Sequence, residues 1–192
     1  MNERLERLRE KMRERGIDVY VVPTSDFHES EYVGEHFACR KYITGFTGSA
    51  GTAVVTMTEA GLWTDGRYFV QASGQLKGSD VALMKMGVEG VPTVLEYIGQ
   101  KLPEGGKLGF DGRVINELLG EDMEAAVSGK HGTVVYGEDL VGMIWEDRPA
   151  LSREPVWILD EKYCGKSAGE KIGDLRRAMK QAGADVHVLT AL

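Results

Sequence analysis

The chain has 192 residues, 42% hydrophobic and 28% charged, an ordinary globular composition that can bury one full core and a piece of another. A net charge of −7 excludes the basic footprint of a nucleic-acid binder. No apolar run approaches the ~20 residues that span a bilayer, and the charged opening MNERLERLREKMRER is unlike a secretory signal; Cys39 and Cys164, far apart, read as reduced thiols of a cytoplasmic protein.

In chain order, Glu3 to Arg15 carries Leu5, Leu8 and Met12 on one face, which predicts an amphipathic surface helix closed by Gly16. Ile17 to Val22 reads as a buried strand, Pro23 to Val33 as a polar loop, and Phe37 to Thr44 as a short helix. A glycine-spaced loop follows, Gly45, Gly48 and Gly51, dense enough to let backbone approach backbone or a ligand closely. Thr52 to Met57 and Leu62 to Thr64 then read as a hairpin turning at Glu59-Ala60-Gly61. Asp65 is a good N-cap for a helix from Gly66 to Leu76, with Phe69, Val70, Ala72 and Leu76 at helical spacing. Further strands are expected at Val81–Met86, Leu108–Asp111 and Thr133–Tyr136. Further helices are expected from Val91-Pro92-Thr93 to Leu102, from Ile115 to Val127, and over Asp139–Trp145.

Strands and helices alternate around one tight hairpin. That predicts a three-layer α/β/α domain with a mixed sheet of roughly six strands. Glu146 to Pro155, with two prolines and several charges, reads as a linker. Leu8, Met12, Gly16, Asp18 and Val19 recur, in the same order and spacing, as Leu175, Met179, Gly183, Asp185 and Val186. A helix–Gly–strand unit, its strand ending at Val22 or at Leu189, thus opens and nearly closes the chain, either as two common units or as the start of a second, similar domain. The expected division is a domain over residues 1–148, a linker over 149–165 and the first αβ unit of a truncated second domain over 166–192.

Several stretches carry residues capable of chemistry. His28, Glu29, Glu31, Glu35, His36 and Cys39 crowd one loop, but their spacing matches no ligand set, and a solvated acidic loop is the simpler reading. The glycine loop has neither the Lys-Ser/Thr ending of a phosphate cradle nor a helix after it, so close packing at a strand start is expected instead. Ser49 has no His–Asp context and Cys39 no evident base, which leaves nucleophilic catalysis unsupported. Trp63, Trp145 and Trp157 read as core or interdomain packing. Arg67 is the oddity: it sits in a first helical turn, where the dipole disfavours a cation. The residues leave two roles for it, a surface ion pair with Asp65 or another acid, or a clamp for a carboxylate or carbonyl at the helix start.

The stretch YITGFTGSAGTA (residues 42–53), followed by LWTDGRYFVQA (62–72), resembles the N-terminal domain of Xaa-Pro aminopeptidases, within the creatinase/prolidase group. Residues 26–32, DFHESEY, and 83–87, LMKMG, extend the resemblance, which is closest to the long, three-domain form and runs nearly end to end. It implies an enzyme that removes an N-terminal residue preceding proline, a bond whose imide nitrogen and constrained geometry general peptidases handle poorly. It further implies two divalent metal ions, usually manganese, on a separate C-terminal catalytic domain to which no residue of this chain corresponds. The chain would then be the substrate-recognition and assembly portion, inactive alone, working with its own catalytic domain in a homodimer. By the same resemblance Arg67 contacts the bound peptide, and His28, within residues 26–32, faces the substrate channel. The alternatives are a non-catalytic, peptidase-like protein-binding module and a prolidase N-terminal domain.

Overall fold

A computed structural model describes residues 3–189. The chain divides into two compact units, Met1–Leu151 and Ser152–Leu192.

The first unit is organised around β1 (Val19–Pro23), whose successive side chains point to opposite faces. Tyr20 and Val22 join one core, and Val19 and Val21 the other. The remaining strands are β2 (Thr52–Thr56), β3 (Ala60–Thr64), β4 (Ala82–Lys85), β5 (Lys107–Phe110) and β6 (Thr133–Val135), in the sheet order β4-β3-β2-β1-β5-β6. β1 is parallel to β5, β5 to β6 and β3 to β4, whereas β2 is antiparallel to both of its neighbours. Five strands therefore end at one edge of the sheet, and only β2 runs against them. This is the expected mixed six-stranded sheet.

Helices cover both faces. α1 (Glu3–Arg15), α2 (Cys39–Thr44), α3 (Phe69–Gln75) and α6 (Leu140–Ile144) bury Leu5, Leu8, Ile43, Ala72 and Val141 on one side. On the other, α4 (Val94–Lys101) and α5 (Glu117–Ser128) bury Ile98, Met123 and Val127. Sequence and structure part at several ends. Thr93 caps α4 through a reciprocal capping box with Glu96, so Pro92 lies outside the helix rather than in its first turn. The segment after Asp65 opens as a 3-10 turn, Gly66–Tyr68, before α3 begins, and Val70 is 89% exposed, leaving Ala72 and Leu76 to face the core. The hairpin turns earlier than expected because the Thr56 hydroxyl accepts from the Glu59 amide (2.9 Å), which frees Ala60 and Gly61 to join β3.

The second unit holds a short helix, α7 (Glu161–Cys164), and the long α8 (Ala168–Ala182), capped by Ser167 and Glu170. Gly183 closes α8 in the left-handed region (φ +67°), as Gly16 (φ +62°) closes α1. The strand expected up to Leu189 does not form among the described residues. Val186, Val188 and Leu189 are exposed, and among the described residues of this unit no strand forms that could take their backbone groups. Trp157, expected in packing, is 73% exposed.

Candidate functional site

Ligands of open α/β sheets bind outside the carboxyl ends of the strands. Here that edge gathers the loop after β1, which carries His28, and the turn after β3, which carries Arg67. β1 and β3 are separated only by β2, so their ends lie roughly 10 Å apart at ordinary strand spacing.

Asp65 builds the Arg67 turn. Its carboxylate accepts the Arg67 amide (3.0 Å) as an N-cap and receives Nε and Nη2 of the same side chain at 2.9 Å each. The cation that the dipole disfavours is thereby neutralised on the spot. The hydrogen bond from Arg67 holds the Asp65 carboxyl down at about 2, and the same bond raises the guanidinium above its ordinary value, with Glu31 of the neighbouring loop adding to its field. Arg67 remains 71% exposed at its side chain, its ring neighbour being Tyr68, 5.3 Å from the guanidinium. The ion pair with Asp65 is thus present in the structure. The pair engages Nε and Nη2, and the exposed guanidinium can still donate to a carbonyl as readily as to a carboxylate.

His28 is exposed in the loop that Asp26 organises. Burial pushes the Asp26 carboxyl up, but the amides of Ser30 (3.0 Å) and His28 (2.8 Å) donate to it and hold it below its ordinary value. Of the segment expected to be one acidic loop, Glu29 stays in the loop and bonds Asn116 (2.5 Å), whereas Glu35 and His36 lie in a 3-10 turn, Glu35–Phe37, bonded to Lys41 (3.2 Å) and, through Nδ1, to the Pro149 carbonyl (2.8 Å). Cys39 lies beside Arg148. Among the described residues, no three His, Cys, Asp or Glu side chains are placed to hold a metal ion.

Two features escaped the sequence reading. Asp111-Gly112-Arg113, after β5, repeats the Asp65-Gly66-Arg67 turn bond for bond, with amide and guanidinium contacts of 3.0, 2.9 and 2.9 Å. The repeated tripeptide after a short apolar strand was the available signal. Arg113 differs in its surroundings: it also approaches Asp139 (3.6 Å) and the Phe27 ring (5.3 Å). The second feature is Arg40, which is 4% exposed and donates to the Thr24 hydroxyl (2.8 Å) and to the carbonyls of Phe46 (2.9 Å) and Gly48. Nothing in its spacing distinguishes it from the exposed Lys41 beside it. The glycine loop itself packs as expected: a Cβ on Gly48 would lie 2.2 Å from the Phe46 ring and 2.8 Å from that of Tyr68.

The chain is similar over its whole length to the probable Xaa-Pro aminopeptidase P of Aspergillus niger, at 43% identity, and covers 31% of that protein. Aminopeptidase P2 of Arabidopsis thaliana is 43% identical over 92% of this chain, which spans 25% of it. Among solved structures, the X-prolyl aminopeptidase of Caenorhabditis elegans, described as a cytosolic enzyme with a di-nuclear active site, superposes with a TM-score of 0.86 at 35% identity. That match takes in 95% of this chain and 31% of the other. The chain therefore spans less than a third of the length of these relatives. A second model described as creatinase/prolidase N-terminal domain matches residues 147–192. With the first such model matching residues 4–141, the chain belongs to the creatinase/prolidase N-terminal domain family.

Proposed function

We propose that this chain is the N-terminal, substrate-recognition and assembly portion of an Xaa-Pro aminopeptidase, and that it takes no part in bond cleavage itself. The observation that carries the reading is the match over 95% of the chain to the Caenorhabditis elegans enzyme, at a TM-score of 0.86 and 35% identity. On this reading the peptide has proline in second position. The catalytic machinery, with two divalent ions that we take to be manganese, belongs to a separate C-terminal domain of the complete enzyme, a cytoplasmic homodimer. The residues of this chain do not fit a di-nuclear centre, since none of the described ones cluster suitably, so no chemical step is assigned to them. Their work is recognition. Arg67, fixed by Asp65, donates to the bound peptide, and His28 faces the same channel. Residues 1–148 form the first domain and 149–165 the linker; 166–192 begin a second domain of the same kind, in which α8 corresponds to α1.

The test compares two proteins on a peptide with proline in second position, each with manganese added. The isolated chain should give no turnover above a buffer blank, and the complete protein should release the first residue. Turnover by the repurified chain would sink the division of labour; an inert complete protein would favour a binding module.

A further inference from the structure

Arg40 is an expensive residue for its place. A cation at 4% exposure loses most of its hydration. Among the described residues no carboxylate is paired with it, and its contacts are neutral: the Thr24 hydroxyl, the Phe46 and Gly48 carbonyls and the face of the Phe46 ring at 4.8 Å. Burial pulls its pKa down to about 10, so the side chain still carries its charge at neutral pH. What a guanidinium supplies here is a rigid planar fork that fixes three acceptors at once, a geometry no lysine can reproduce.

The fork holds the glycine loop from behind, and the front of that loop frames the Arg67 turn. Ahead of the turn, the Ala50 carbonyl accepts from the hydroxyl of Thr64, the last residue of β3, at 2.8 Å. Behind it, Ser49 Oγ meets the Tyr68 hydroxyl at 2.7 Å, and Gly48 packs on the Tyr68 ring. Farther along, the Thr47 amide donates to Gln75 of α3 (3.0 Å), and Gln71 donates to the Thr47 hydroxyl (3.0 Å). Four consecutive loop residues thus hold side chains on both sides of Arg67, those of Thr64, Tyr68, Gln71 and Gln75, and Arg40 gives two of its three hydrogen bonds to carbonyls of the same loop, Phe46 and Gly48.

We infer that Arg40 is a positioning residue for substrate recognition, acting through the loop Thr47–Ala50 and Tyr68 to fix the orientation of Arg67. This rests on the proposed contact between Arg67 and the peptide. Arg40 touches no substrate.

A double-mutant cycle in the complete enzyme tests it, with kcat and KM measured per folded molecule on a peptide with proline in second position. Arg40→Lys keeps the charge and removes the fork. It should lower kcat/KM roughly 2- to 30-fold, split between kcat and KM in the same proportion as Arg67→Ala. In the Arg67→Ala background it should have little further effect. Should Arg40→Lys fold poorly, Ser49→Ala, at an exposed position, breaks only the bond to Tyr68 and should show a smaller loss with the same dependence on Arg67. Losses that multiply with that of Arg67→Ala, from either variant, overturn the inference while leaving Arg67 as a recognition residue. So does a fall in melting temperature with kcat/KM per folded molecule unchanged. If Arg67→Ala alone has no effect, the recognition role of Arg67 fails and the inference falls with it.

Discussion

At the scale of single residues, environment rather than identity decides which groups can act. Cys39 and Cys164 look alike in sequence, each a lone cysteine with a lysine two residues on. Burial pushes the Cys39 thiol up to about 12, with the nearby Asp139 adding to the effect and Arg148 opposing it. At neutral pH Cys39 therefore stays a protonated thiol, poor as a nucleophile or a metal ligand. A disulfide-exchange reagent at pH 8 should find one reactive thiol, Cys164, in the folded chain and two in denaturant. Two fast thiols in the native chain would show that the Cys39 site opens readily. Arg67 and Arg40 teach a similar lesson. The dipole argument singled out Arg67 as a cation at a helix start, but the two-pronged contact with Asp65 that accommodates it depends on a 3-10 turn that no periodicity reveals. Arg40 carried no signal at all, because burial of a polar side chain is settled by tertiary packing.

At the scale of elements, patterns with strong local causes were legible. α1 follows from Leu5, Leu8 and Met12, and β1 from an unbroken apolar run that is buried on both faces. Boundaries set by a side-chain hydrogen bond were not: Thr56 moved the hairpin turn, and Asn116 rather than Ile115 opens α5 by accepting from Leu119 (2.8 Å). Joints between elements were equally hidden, and Tyr20 is the clearest. It is 2% exposed on β1, and its hydroxyl donates to the Glu138 carbonyl (3.0 Å) while accepting from the amide of Leu140 (3.1 Å), the first residue of α6. Burial raises the Tyr20 pKa, so the hydroxyl stays protonated and able to donate. Tyr20→Phe takes the partner from a buried helix-end amide, that of Leu140, and from the Glu138 carbonyl, at a cost of about 1–3 kcal/mol. A urea titration should show a lower midpoint with the slope unchanged. A midpoint equal to wild type would mean that those two groups find other partners.

At the scale of the whole molecule, the two units differ in how they are held. The first buries apolar side chains on both faces of its sheet. In the second, α8 has no buried residue, and Ile172 on it is 48% exposed, although its capping box and length favour a helix. A helix of 15 residues without a packed face is marginal in water. Amide exchange in the isolated, monomeric chain should therefore be much faster over residues 168–182 than over β2. Equal protection would mean that the second unit is stable without further chain, against the proposal that it begins a truncated domain.

The proposed recognition role of Arg67 is the most direct point of test, measured as kcat/KM of the complete protein alongside its melting temperature. On the proposed contact, Arg67→Ala removes a charge-assisted hydrogen bond to the peptide, which should lower kcat/KM roughly ten- to a hundred-fold. The melting temperature should barely move, because the Asp65–Arg67 pair is exposed and such pairs contribute little to stability. Arg67→Lys should recover little, since lysine lacks the two-pronged donor that Asp65 holds in place. The contrary result is an unchanged kcat/KM per folded molecule with a lower melting temperature; Arg67 would then be a structural partner of Asp65, as Arg113 is of Asp111.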